Sequence, residues 1–262
     1  MALQLRSVIA CALGALLAAP PVAAALQPHR AFYRLELGET HGVDPLQGVE
    51  GGLVIEWRLA CDGWLSRQRL GFVAATEDGV GLTRDVRFSS WEAADGSSLR
   101  YTLRSFQGDA LEEEFRGEAR IEGRGGGVAS FSKPEEVDVR LPGGTIFPTE
   151  HLERVLLGAE RGERLMTHEV FDGWGFDSLT QITTVIGEPR PLPASAGRPE
   201  GGRAWPISMA YYKIDSQSDV PEFEASFLLS ADGVMRELAL DYGDFMLNGT
   251  LEQLDLLGQP GC

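Results

Sequence analysis

The stretch LVIEWRLACDG, residues 53–63, contains the pattern that decides the fold. Large apolar residues stand at every second position from Leu53 to Leu59, and the pair Asp62-Gly63 follows directly. Such alternation turns one row of side chains toward a core and the other toward water, which is typical of a half-buried strand. Asp-Gly between alternating runs is a strong signal for a hairpin turn. The stretch therefore predicts a strand followed by a turn.

The same pattern recurs along the chain, which predicts a mainly β fold. Alternating runs cover residues 99–104, 137–141, 207–212 and 222–229, and further Asp-Gly pairs begin at Asp78, Asp95, Asp172 and Asp232. We count about thirteen or fourteen strands, joined mostly in sequence order as one long antiparallel meandering sheet. Each strand has one apolar face, so a single sheet must cover that face by curling on itself or by docking a helix. Curling is expected to leave an apolar concavity lined by tryptophans and phenylalanines.

One segment has helical spacing instead. Pro148-Thr149-Glu150 opens a stretch in which apolar residues recur three and four positions apart, and Thr149 is a candidate for the helix cap. We predict one short helix that lies against the sheet or across its mouth. The segment Gly187–Gly202 is rich in proline and glycine and is predicted to be a long loop rather than a domain linker.

Composition and charge narrow the function. The chain has 262 residues, 43% of them hydrophobic, and a formal net charge of −16. This is a globular composition with enough length to bury a core. A surface this negative repels phosphate backbones, which argues against nucleic-acid binding.

The N-terminus resembles an export signal. One arginine in the first six residues precedes a short apolar run, Ser7–Ala19, and small residues end at Ala25. We predict a signal peptide over residues 1–25, cleaved before Leu26, and a single mature domain over residues 26–262 in the periplasm. An uncleaved membrane anchor and a lipoprotein modified at Cys11 are the alternatives.

The cysteines agree with an oxidising compartment. Cys11 leaves with the signal, so Cys61 and Cys262 remain, and one disulfide between them is the default. The four histidines show no metal-ligand spacing, and neither a metal nor a cofactor is predicted.

The search for catalytic motifs finds one weak candidate. Phe176-Asp177-Ser178-Leu179 is similar to the nucleophile block of GDSL hydrolases, but its glycine is missing and it lies past the midpoint of the chain. Ser178 enters an alternating run, so we interpret it as part of a strand, and no catalytic residue is predicted. Asp172 and Asp177 lack the spacing of a calcium loop and are interpreted as turn residues. Glu112-Glu113-Glu114 is interpreted as a solvated strand face, with a patch for a basic partner as the alternative.

The remaining candidates are histidines and tryptophans. His151 and His168 flank the predicted helix and receive no role. Trp57, Trp64 and Trp205 are interpreted as core or as cavity lining rather than as a platform for a sugar.

Several short blocks carry a family resemblance that extends over essentially the whole mature chain. The blocks are residues 28–31, 57–63, 141–151, 171–173, 203–208, 232–234, 240–245 and 249–251. In their order and spacing they resemble the EipB family of cell-envelope integrity proteins, a periplasmic family of alphaproteobacteria.

The resemblance implies a fold and a role. It implies a monomer whose β-sheet is wound into a spiral or cup with one or two short helices, and a disulfide that joins the strand carrying Cys61 to the C-terminus. It further implies a role in envelope integrity and a link to a periplasmic tetratricopeptide-repeat protein. No catalytic residues are established for such a family, so none is carried over.

Three hypotheses of function follow. The favoured one is a non-enzymatic periplasmic protein that presents an apolar concave face to a lipid, lipoprotein or peptide. The second is a periplasmic hydrolase whose site the motifs do not show. The third is an outer-membrane β-barrel, against which stands the ending Gly261-Cys262, where such barrels have an aromatic residue.

Overall fold

The computed structural model describes residues 26–41, 46–76, 79, 81–194, 201–214 and 218–262. The predicted signal peptide lies outside these ranges, as do Asp78 and residues 195–200 of the predicted loop. Within them the chain forms fifteen strands, one α-helix and one 3-10 turn, in the following order. The elements are β1 His29–Thr40, β2 Gly48–Leu59, β3 Gly63–Ala75, β4 Gly81–Ala93, β5 Ser98–Gln107, β6 Ala110–Ile121, the turn Gly123–Gly125, β7 Gly127–Lys133, β8 Val137–Leu141, α1 Pro148–Arg161, β9 Leu165–Phe171, β10 Leu179–Ile186, β11 Arg190–Pro191, β12 Arg203–Lys213, β13 Phe223–Ser230, β14 Met235–Asp241 and β15 Phe245–Leu256.

The strands form one antiparallel sheet that follows the chain. The order is β8-β7-β6-β5-β4-β3-β2-β1-β15-β14-β13-β12-β10-β9, and the two-residue β11 adds to β12. Consecutive strands are therefore adjacent in the sheet, except that β10 pairs with β12 and that β8 and β9 form the two edges. The pairing of β1 with β15 joins the two halves. The predicted meander is confirmed, and β11 lies inside the segment predicted to be a loop.

The sheet curls until its two edge strands approach each other. After β8 the chain turns back, and Ile146 forms a parallel bridge with Val170 of β9. The backbone N–H of Ile146 donates to Glu169, and the N–H of Phe171 donates to Ile146. This short connection satisfies part of an edge that would otherwise be unpaired. The result is a nearly closed, barrel-like spiral, as the resemblance implied.

The inner face of the spiral holds the core. On β1, for example, Ala31, Tyr33 and Leu35 are buried, whereas Arg30 and Arg34 of the opposite face are exposed. The larger apolar cluster lies between α1 and strands of both halves of the sheet, and it contains Trp57 and Trp205. The two tryptophans are therefore core residues, which is one of the interpretations given above.

Helix α1 fills part of the interior, and its start differs from the prediction. The cap position is Phe147, Pro148 occupies the first turn, and Thr149 lies inside the helix, so Thr149 is not the cap. The orphan N–H groups instead meet a carboxylate from β4: Glu92 accepts from Thr149 at 2.8 Å and from Glu150 at 2.9 Å. The local sequence predicted Thr149 as the cap, because the glutamate that takes this role lies 57 residues earlier in the chain.

A second, aromatic cluster closes the part of the spiral between β4 and β8. Phe131 packs edge-to-face against Tyr101, Phe171 and Phe176. The loop that follows β9 enters this cluster, where Gly173 lies flat on the ring of Tyr101. A Cβ there would come within 2.5 Å of the ring, and φ is +79°, so the position requires glycine.

The disulfide joins Cys61, two residues beyond β2, to Cys262 at the end of the chain. Their Cα atoms are 5.7 Å apart and their positions differ by 201 residues. The link anchors the segment that follows β15, which lacks regular structure, to the β2–β3 turn.

Candidate functional site

The inner face is only half-buried near one end of the strands. Seven apolar residues there pack against the larger core cluster yet keep partial exposure: Leu37, Leu70, Phe72, Leu82, Tyr211, Leu240 and Phe245. Five of them share their face with a buried residue two positions away, as Tyr211 does with Met209 and Phe245 with Leu247. We call this set the apolar mouth. It is the part of the concave face at which the core ends and solvent begins.

A row of aromatic rings forms one wall of the mouth. Tyr211 contacts Phe223 at 5.1 Å between ring centroids, Phe223 contacts Tyr242 at 5.1 Å, and Tyr242 stacks on Phe245 at 5.2 Å. The antiparallel ladder produces this row, because Tyr211 lies opposite Phe223 in the register of β12 and β13. The wall is aromatic, and Tyr242 is 39% exposed.

One carboxyl group belongs to the same region. Asp172 follows β9, and its Oδ1 accepts the backbone N–H of Trp174 at 3.0 Å. Burial raises the pKa of Asp172 to about 7, an effect that the N–H of Trp174 partly opposes. Burial and the nearby charge of Asp172 together raise the pKa of Tyr211. Asp172 is half-buried.

A histidine pair lies where α1 meets β9. The rings of His151 and His168 are 5.4 Å apart, and burial lowers the pKa of both, that of His151 to about 3. His151 lies within the helix rather than beside it, which corrects its predicted position. Within the described residues, His151 Nε2 and His168 Nδ1 are buried without a hydrogen-bond partner. Both rings are therefore neutral at physiological pH and serve as part of the packing.

The weaker site candidates have structural roles. Ser178 lies in the turn before β10, not in the strand, and its hydroxyl donates to the carbonyl of Gly175 at 2.6 Å. Asp177 pairs with Lys213. Glu114 pairs with Arg104 of the neighbouring β5, and Glu112 pairs with Arg84 of β4, one strand further away. Among the described residues, no group of three or more histidine, cysteine, aspartate or glutamate side chains is arranged to hold a metal ion.

Tryptophans were expected in the lining of the concavity, but they do not line its open part. Trp57 and Trp205 are at most 5% exposed. Trp64 is partly buried against the same cluster and hydrogen-bonds to Glu153 of α1. The lining instead comes from leucines, phenylalanines and tyrosines near strand ends, because α1 covers the region that holds the tryptophans.

The sequence did not predict most of the mouth. Tyr211 and Phe223 lie in alternating runs that were identified, but alternation alone does not show at which point along a strand the core ends.

In the described ranges, no helix is long and apolar enough to cross a membrane.

The curled sheet, the helix inside it and the apolar mouth define a barrel-like β-spiral protein. Residues 20–258 match the EipB-like family, and the chain belongs to that family. It is 32% identical over 248 residues to the cell envelope integrity protein EipB of Brucella abortus (strain 2308), which covers 90% of this chain and 88% of that protein.

A solved structure supports the same assignment. The chain is similar to a crystal structure described as a beta-barrel-like protein of a domain of unknown function from Brucella abortus, with a TM-score of 0.84 and 31% identity. The match covers 89% of this chain and 99% of that one. The relatives' names include no enzyme activity.

Proposed function

We propose that this protein is exported to the periplasm, where it supports cell-envelope integrity without catalysis by holding an acyl chain of a lipid or lipoprotein in the apolar mouth. The observation that carries the proposal is the set of seven half-buried apolar side chains at the end of the inner face. Concave, mostly apolar surfaces with few polar groups are the usual form of a small-ligand site.

The chemistry of the wall favours an acyl chain over an extended peptide. The strands around the mouth hydrogen-bond to their neighbours in the sheet, so their backbone groups are already used. A peptide would bring its own N–H and C=O groups against apolar side chains, and each group left without a partner costs roughly 1–3 kcal/mol. An acyl chain has no such groups.

Similarity to known proteins supports a role in the cell envelope without identifying a ligand. The relative from Brucella abortus is a cell envelope integrity protein by name. Residence in the periplasm rests on the predicted signal peptide and on the family resemblance. A monomeric state and an interaction with a periplasmic tetratricopeptide-repeat protein belong to the same proposal.

Native mass spectrometry tests the proposal directly. The protein is purified from the periplasm without detergent, and its intact mass is measured before and after extraction with organic solvent. We expect a mass higher than that of the protein alone. An adduct that organic solvent removes would indicate a free lipid, and an adduct that contains a peptide would indicate a lipoprotein. A bare mass, together with no binding of a fluorescent fatty acid, would contradict the proposal.

Two adjacent residues of β3 provide a matched pair of variants. Phe72 belongs to the mouth, whereas Val73 points outward and is 50% exposed. Phe72→Asp should abolish binding of the fluorescent fatty acid, and Val73→Asp should leave it intact. Equal effects of the two variants would exclude the mouth as the site. Hydrolysis of a short p-nitrophenyl ester by the wild-type protein would favour the hydrolase hypothesis instead.

A further inference from the structure

The outer face of the sheet carries a groove that faces away from the mouth. It crosses β3 to β7, has a volume of about 650 Å³ and includes Arg67, Trp91, Arg100 and Arg116 in its lining. A second depression of about 520 Å³ continues it toward the turn after β6, and the two share Glu118 and Ser130.

The strand register arranges this lining in two rows. In the first, Arg67 lies opposite Ser89, Ser89 opposite Thr102, and Thr102 opposite Arg116. Two arginines thus flank two hydroxyl groups across four strands, about 14 Å at the usual strand spacing. In the second row, Trp91 lies opposite Arg100, whose guanidinium rests 4.1 Å from the centre of the indole ring.

The arginines of the groove differ from those of the next row. Arg69 and Arg87 both pair with Asp85, and Arg104 pairs with Glu114, so every arginine of that row is ion-paired. Among the residues that the structure describes, neither Arg100 nor Arg116 forms an ion pair with a carboxylate.

Arg67 completes the positive end of the groove. Its guanidinium is 3.9 Å from Glu56, a carboxylate that already accepts a hydrogen bond from Arg58 at 2.7 Å. A local concentration of positive charge on a chain of net charge −16 is unusual, and it attracts an anionic ligand in particular.

We propose that this groove binds an acidic oligosaccharide whose carboxylate or phosphate groups meet the arginines. Arginine forks bind both anions bidentately. The intervening serine and threonine hydroxyls are donors and acceptors for sugar hydroxyls, and Trp91 supplies an aromatic edge to the site. A polyanion of high charge density is disfavoured by the acidic remainder of the surface. The groove is independent of the mouth, and this proposal goes beyond the proposed function.

Isothermal titration calorimetry with the mature protein tests the proposal. The probes are pentagalacturonate for carboxylates, phosphorylated mannopentaose for phosphates, neutral mannopentaose, and pentaglutamate as an acidic peptide. We expect one or both acidic sugars to bind, with an affinity that falls as salt is raised, and the neutral sugar to bind far more weakly. The acidic sugar that binds identifies the anion.

Variants locate the binding. Arg100→Ala and Arg116→Ala should each weaken the binding of the acidic sugar about tenfold, the value of one charge-assisted hydrogen bond. Arg104→Ala, from the ion-paired row, is the matched control and should leave the affinity unchanged, as should Phe72→Asp in the mouth. Equal binding of neutral and phosphorylated mannopentaose, tighter binding of pentaglutamate, or no binding of either acidic sugar would overturn the proposal.

Discussion

Glu92 and Thr149 form the contact that fixes the start of α1 in the sheet. Oε2 of Glu92 lies 2.8 Å from the backbone nitrogen of Thr149, and Oε1 accepts the next N–H from Glu150. A residue at the end of β4 thus does for the helix what a local cap does elsewhere. Because the helix fills the interior, this contact connects the packing of the interior to the sheet.

Removal of this cap should destabilise the protein. Glu92→Ala leaves two N–H groups of the first turn without a partner, and we expect a loss of about 1–2 kcal/mol in the free energy of unfolding. Urea denaturation followed by circular dichroism measures it. Glu39→Ala, at an exposed position of β1, is the control, and equal stability of both variants would show that the cap is dispensable.

The same carboxyl should make stability depend on pH. Burial raises the pKa of Glu92 to about 7 from its ordinary 4.5. The folded protein therefore keeps a proton that the unfolded chain releases, so this group's contribution is fully present below pH 4.5 and is lost as pH rises through about 7. Glu92→Gln does not titrate. The stability of Glu92→Gln relative to wild type should rise from pH 4.5 to 7 and then level off, whereas a constant difference would refute the shift.

The histidine pair should make stability depend on pH in the opposite direction. Burial, the neighbouring His168 and Arg154 lower the pKa of His151 to about 3. As pH falls below 6.5, His151 binds a proton in the unfolded chain but stays neutral in the folded protein. The stability that His151 contributes is therefore present above pH 6.5 and is lost as pH falls toward 3. His151→Leu should lose less stability than wild type on acidification, measured as melting temperature at several pH values. The exposed His41→Leu should follow wild type.

Reduction of the disulfide should lower the melting temperature. The link between Cys61 and Cys262 closes a loop of about two hundred residues, for which chain entropy gives roughly 5 kcal/mol as an upper estimate. Melting curves with and without reductant measure the effect, and Cys262→Ser should be insensitive to reductant. Two free thiols in the unfolded, unreduced protein would show that the bond does not form in the cell.

Export should produce a mature chain that begins at Leu26. Leu26 is 4% exposed and packs against Gly233. N-terminal sequencing of the periplasmic protein should return Leu26, and Ala25→Arg should block cleavage because the last signal position requires a small residue. An intact Met1 in the membrane fraction would contradict the prediction.

The architecture follows from local pattern to a large degree. Period-two runs such as Leu53–Leu59 identify strands, and most Asp-Gly pairs lie between strands that are neighbours in the sheet, as Asp95-Gly96 does between β4 and β5. A meander needs only nearest-neighbour pairing, so the order of strands is readable from the order of the sequence. The prediction that the sheet winds into a spiral came from the family resemblance and not from the local pattern.

Alternation along the chain predicts the inward-facing side chains of a regular strand, because a side chain's face follows its parity. A register shift, such as that between Phe227 and Leu229 of β13, interrupts this rule. The sequence also left two cysteines for one disulfide. The folded sheet alone brings Glu92 to Thr149, bridges Ile146 to Val170, and aligns Arg67, Ser89, Thr102 and Arg116 in a row. These depend on register and on the curl of the sheet, which are set by contacts between residues far apart in the chain and leave no local period to read.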